Sequence, residues 1–136
     1  MTGGSSGPPP ASYRAFNTMD VLTHPTRPDT MLVLSRALAG PKDYFCAAGD
    51  YADRYLDTPV VDRIYVLETG PSPDRRARTA VTFTTAPPEE LVDGPRPGDD
   101  GNYSLRLTEP GFNIQAGQAR SFCVESRRRL AGVRLF

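Results

Sequence analysis

With 136 residues the chain holds one ordinary domain and is too short for two. Apolar residues make up 38% of it, a lean supply for a core, and 14 Pro with 12 Gly cut it into short elements, which excludes a long bundle, a coiled coil or a helical repeat. Sixteen cationic side chains balance sixteen acidic ones, so net charge implies neither a polyanionic partner nor a membrane surface, and no apolar run approaches the roughly 18 residues of a membrane span.

Residues 1–11 combine Gly, Ser and three consecutive prolines and read as a flexible leader, without the charged and apolar regions of a secretory signal. From Tyr13 to Leu22, Tyr13, Ala15, Met19 and Val21 share one parity, which predicts an edge strand closed by the turn His24 to Asp29. Met31 to Leu38 is apolar on both parities and predicts a central strand.

Ala39-Gly40-Pro41 ends that strand and opens one helix over about Lys42 to Leu56, with Asp43 in the first turn, where the helix dipole favours an anion. At 100° per residue Phe45, Ala48, Gly49, Ala52, Tyr55 and Leu56 fall on one face, flanked by Tyr44 and Tyr51. The other flank carries Asp43, Asp50, Asp53 and Asp57, with Cys46 among them. Arg63 to Leu67 predicts a second central strand, and Thr79 to Thr85 alternates cleanly enough for a half-buried one. If the strands on either side of the helix pair directly, they are parallel through a right-handed crossover.

Residues 86–101 form a long surface excursion, with Pro88-Glu89-Glu90-Leu91 suited to a single helical turn. Tyr103, Leu105 and Leu107 alternate with Ser104, Arg106 and Thr108, the clearest strand pattern in the chain, and Phe112, Ile114 and Arg120 to Val124 supply one or two short strands. The sum is an α+β fold, a mainly antiparallel sheet of five to seven short strands with one amphipathic helix packed on one face. The domain occupies residues 12–125, and 126–136 form a basic C-terminal tail whose apolar side chains suit docking, a membrane surface or a sheet edge.

Two cysteines, Cys46 near the start of the helix and Cys123 in the last strand, are the sharpest covalent feature, and no CxxC spacing or grouped His suggests a metal. Three states are open to them. A disulfide would staple helix to strand across about 75 residues and remedy the lean core. The pair could instead be two buried thiols, or Cys46 a reactive thiol lowered by the helix dipole, against which the aspartates of the same flank act. The disulfide is the favoured state, and it implies an oxidising compartment.

The acidic flank reads as a solvated helix face with Asp50 pairing Arg54, since a helix presents too few oxygens for a calcium ion. Lys42 is the only lysine, and the arginines, spread from Arg14 to Arg134, fit a coding bias. Two clusters still stand out as a possible anion site: Arg75, Arg76 and Arg78 in a Pro-flanked loop, and Arg127, Arg128 and Arg129. Zero net charge and aromatics placed in the core argue against nucleic acid. His24, the only histidine, sits in a His-Pro turn, and the chain has no GxSxG, P-loop, GxGxxG or HExxH, which argues against an enzyme and implies no cofactor and no metal.

The run from Asp43 to Ala52, DYFCAAGDYA, together with Arg63-Ile64-Tyr65-Val66, Gly70-Pro71-Ser72, Ala80 to Thr84 and Phe122-Cys123, resembles a group of uncharacterised small exported proteins of Rhodobacter-like alphaproteobacteria. The resemblance implies export and pairing of Cys46 with Cys123, and it implies no catalytic residue and no ligand. It covers about Tyr13 to Cys123.

The first functional reading is therefore a periplasmic or secreted binding or structural module with one disulfide and a protein or cell-envelope component as partner. The second is a cytoplasmic binder of an anionic partner through the arginine clusters, and a small hydrolase with an unrecognised site is the third.

Overall fold

The computed structural model of the chain describes residues 12–132. In chain order the strands are β1 (Ser12–Arg14), β2 (Asp20–Thr23), β3 (Thr30–Leu34), β4 (Arg63–Pro71), β5 (Thr79–Thr84) and β6 (Asn113–Gln115). Helix α1 (Pro41–Leu56) lies between β3 and β4, and α2 (Ala116–Ser121) and α3 (Cys123–Gly132) close the fold. The six strands form one sheet in the order β1-β2-β3-β5-β4-β6, and every pairing is antiparallel, as an α+β fold of this kind requires. Strands β3 and β4 do not pair with each other, because β5 inserts between them, so the crossover through α1 spans one strand.

The core follows from parity. Met31 and Val33 on β3 oppose Phe83 and Val81 on β5, and these side chains join Ile64, Val66 and Ile114 beneath α1. Phe45 of the helix meets Phe83 edge-on at 5.0 Å and Phe112 at 6.2 Å. Tyr55, assigned by helical spacing to the same face, is instead 60% exposed and packs edge-on against Tyr13. The opposite parity of β2, β3 and β5 supplies a smaller cluster of Leu22, Leu34 and Ala80.

Helix α1 starts as its sequence dictates. Pro41 occupies the first turn, and the Asp43 carboxylate accepts the Gly40 N–H at 2.7 Å, satisfying one of the donors a helix leaves orphaned. Asp57 ends it in the left-handed conformation, φ 49°, with the Thr58 N–H returning to the Ala52 carbonyl at 3.1 Å. Glu89–Leu91 forms the single 3-10 turn expected within the excursion.

Three expectations are corrected. The segment from Tyr13 to Leu22 is not one strand but the β1–β2 hairpin, because Asn17 and Thr18 reverse the chain: the Asn17 side-chain oxygen accepts the Met19 N–H, and the Ala15 N–H bonds the Met19 carbonyl at 2.8 Å. The segment 103–108 forms no strand. Its alternation does report one-sided burial, since Leu105 and Leu107 pack against the core, but beyond the three residues that β6 pairs the segment meets β4 through a side chain, the Thr69 hydroxyl donating to the Leu107 carbonyl at 2.6 Å, and not through a backbone ladder. Local turns take up the chain at its start, the Asn102 N–H bonding Asp100 and the Ser104 N–H bonding Asn102, while Arg106 is held by Asp100 and Glu109 at 2.8 Å each.

The third correction concerns the C-terminal segment. Residues 120–124, expected as strand, and 126–132, expected as tail, lie in or between the helices α2 and α3. The buried residues Ala116, Ala119, Cys123, Ser126 and Leu130 recur at spacings of three and four, the period of a helix and not of a strand. The leader 1–11 and the last four residues of the expected tail lie outside the described residues.

Gly49 is where α1 receives α2. A Cβ there would sit 2.9 Å from the Ala119 Cβ and 3.3 Å from the Arg120 backbone nitrogen. Gly49→Ala is expected to cost about 1 kcal/mol net, the crowding outweighing the gain in helix propensity. Urea unfolding measures this, and a gain in stability would mean that the two helices separate freely.

Candidate functional site

Cys46 and Cys123 form a disulfide that joins α1 to the first residue of α3, with Cα atoms 5.1 Å apart and a sequence separation of 77. Both residues are buried, so the bond is a staple within the core rather than a surface thiol pair. It connects two helices, not helix to strand, for the reason given above.

Beside it lies a buried polar network. The Asp43 carboxylate accepts from the Ser126 hydroxyl at 2.6 Å and from the Arg129 guanidinium on both oxygens. Asn17, fully buried, donates to the Asp43 carbonyl at 3.0 Å and to Ser126 Oγ at 2.8 Å. Burial pushes the Asp43 carboxyl upward, but the bonds from Arg129, Ser126 and Gly40 outweigh it and hold it below its ordinary value. The network fastens the hairpin turn, the start of α1 and α3 to one another.

The acidic flank is a solvated face only at Asp53 and Asp57, which are exposed, and it is not paired along the helix. Asp43 is buried, Asp50 accepts from the Tyr13 hydroxyl at 2.5 Å and the Phe16 N–H at 2.8 Å, and Asp53 pairs Arg120 at 2.5 Å. Burial, then the bond to Asp50, raises the Tyr13 hydroxyl pKa. Among the described residues no three His, Cys, Asp or Glu side chains gather as metal ligands. His24 serves its own turn, its ring nitrogen accepting the N–H groups of Thr26 and Arg27 at 3.2 Å each.

The six arginines of the two clusters are divided among several places. Arg129 is held by Asp43, Arg128 pairs with Glu125 at 3.6 Å on the exposed side of α3, and Arg75 and Arg78 are exposed in the β4–β5 loop. Arg76 and Arg127, one from each cluster, line the same cleft of about 610 Å³. Two further arginines, Arg14 at the end of β1 and Arg36 just after β3, line it as well, with Asp20 as its single carboxylate.

The charges in this cleft are unequally satisfied. Arg76 is engaged by Asp74, at 2.9 Å and 3.0 Å, and faces Asp20 at 3.7 Å. These bonds raise the Arg76 pKa and hold the Asp74 carboxyl down at about 2. Arg14 faces Asp20 at 3.5 Å. Arg36, half-buried, reaches only neutral acceptors, the carbonyl and hydroxyl of Thr18 and the Leu130 carbonyl at 3.5 Å. Arg127 stacks over the Phe16 ring at 4.8 Å and bonds the Phe16 carbonyl at 3.3 Å. Among the described residues neither Arg36 nor Arg127 has a carboxylate within 4 Å, which leaves two uncompensated guanidinium groups facing one hollow.

Thr18 also lines the cleft, and its backbone is left-handed at φ 74°, a costly conformation for a β-branched residue. It is held there by Arg36, which binds both its carbonyl and its hydroxyl oxygen.

Sequence patterning passes over Arg14, Asp20, Thr18 and Arg36. Arg14 and Asp20 are direct cross-strand partners, a relation legible only once the reversal at Asn17 and Thr18 is recognised. Arg36 has no local signal, since its partners are 18 and 94 residues away.

No family model matches the chain, and no curated protein or solved structure matches it either. Among the described residues no helix is long and apolar enough to cross a membrane.

Proposed function

We propose that this chain is an exported, non-enzymatic binding module, stapled by Cys46–Cys123, that takes an anionic group into the arginine cleft. The observation that carries the reading is the pair of uncompensated guanidinium groups, Arg36 and Arg127, brought from the segment after β3 and from α3 to one hollow whose other cations are already neutralised. Guanidinium offers a planar fork to phosphate or carboxylate, and in a recess that partly excludes water each such contact counts for more than on an open surface. Export is supported by the disulfide, a bond that persists in oxidising compartments, and by the resemblance of the cysteine-bearing segments to small exported proteins. An extended nucleic-acid face is disfavoured because, of the six members of the two arginine clusters, Arg76 and Arg127 line the cleft, Arg129 is engaged by Asp43 and Arg128 by Glu125.

Calorimetric titration with inorganic phosphate at low ionic strength tests the reading. Binding should be present, weaken as salt rises, and fall about tenfold in Arg127→Gln, which removes a charge from an exposed helix position while leaving the Asp43 network intact. Absence of binding by phosphate, sulfate and citrate to the unaltered protein rejects the cleft as an anion site.

A further inference from the structure

We infer that the ligand of this cleft is an anionic sugar, a phosphate or carboxylate carried beside hydroxyl groups, with the anion held by Arg36 and Arg127 and the hydroxyls by Asp20; this rests on the anion reading above. Asp20 is the feature a plain anion site does not need. A carboxylate lining a recess repels an incoming anion, so its presence selects against ligands that bring charge alone.

Asp20 is also incompletely satisfied. Its side chain is 22% exposed, and its two arginine contacts, at 3.5 Å and 3.7 Å, are longer than ordinary hydrogen bonds. Among the described residues its carboxylate accepts no side-chain or backbone hydrogen bond, the arginines standing at ion-pair distance only. A partly desolvated carboxylate oxygen in a binding recess calls for a donor, and Arg14 and Arg76 beside it supply donors of their own. Donor and acceptor set side by side match a vicinal diol, whose two hydroxyls each give and accept. The cleft thus carries two regions of different chemistry, a cationic one at Arg36 and Arg127 and a mixed one at Asp20. Its volume of about 610 Å³ is of the order that encloses a small ligand rather than a single ion.

The test is a set of titrations on the full chain and on Asp20→Asn. Glucose 6-phosphate is compared with inorganic phosphate, and galacturonate with acetate, so that the two sources of the anion are read separately. Glucose alone serves as the uncharged control. The unaltered protein is expected to prefer at least one sugar anion over its simple counterpart by about tenfold. In Asp20→Asn the preference should fall toward one, while inorganic phosphate binds as well as before or more tightly. Retained phosphate binding also certifies that the variant is folded. Equal affinities for sugar anion and simple anion in the unaltered protein, or a preference that survives Asp20→Asn, overturns the sugar assignment and leaves the anion site standing. Absence of binding by every anion overturns the anion reading itself.

Discussion

Replacing Cys46 and Cys123 together by Ala is expected to lower stability by about 4 kcal/mol, the figure that loop-closure entropy assigns to a cross-link spanning 77 residues. The staple ties α1 to α3, so the reduced unfolded chain gains the conformational freedom that the cross-link withholds. Alanine is the right probe because both sulfurs are buried, and serine would add an unsatisfied hydroxyl to the loss. In a domain of this size the change corresponds to a fall in melting temperature of roughly 15 °C. Guanidinium unfolding of the unaltered protein with and without reductant, beside the double variant, measures it. The reduced protein and the variant should agree to within about 1 kcal/mol, since both report the same lost constraint. A total loss below about 1 kcal/mol would mean that packing of α3 alone, through Leu130 and the Asp43 network, holds the helix pair together.

The α+β class and the placement of α1, β3, β4 and β5 were legible in the sequence because each is one continuous element whose apolar parity or helical period reports its own burial. The disulfide was within reach for a different reason, since two cysteines offer a single pairing. What escaped reading depends on contacts distant in sequence. Residues 103–108 show a strand's alternation because one face packs on the core, yet alternation becomes a ladder only where backbone groups pair, and here the Ser104 N–H turns to Asn102 while β4 reaches Leu107 through the Thr69 side chain. The hairpin at Asn17 and Thr18 lacks the usual Gly turn and is fixed instead by Asn17 bonding Ser126, 109 residues away. The cleft is the extreme case. Its four arginines come from β1, the segment just after β3, the β4–β5 loop and α3, and a cluster in sequence, such as Arg127 to Arg129, sends neighbouring side chains to different sites. Helix α3, by contrast, could have been found, because Ala116, Ala119, Cys123, Ser126 and Leu130 keep a helical period that reading Arg120 to Val124 as strand obscured.

The same network yields the second large effect. Asp43→Asn should cost about 3 kcal/mol at pH 7, since it removes the charge on which Arg129 and the Ser126 hydroxyl converge at a fully buried position. The loss is set at the low end for a buried pair because the Arg129 side chain is 46% exposed and can recover hydration. Its pH dependence separates charge from shape. The Asp43 carboxyl has an ordinary value of 3.8 and is held below it in the folded protein, so unfolding takes up a proton wherever the pH lies between the two values. The stabilisation is therefore fully present above the unfolded value and disappears as pH falls through the lower, folded one. Stability of the unaltered protein should decline from about pH 5 downward, while Asp43→Asn lacks this component of the decline, and the gap between them should close in strong acid. Denaturant unfolding of both proteins at pH 7, 4 and 2 gives the comparison. A gap that stays constant over this range would assign the loss to the altered geometry of the Gly40 cap and the Ser126 bond, and would remove the ion pair with Arg129 from the account of what holds α3 in place.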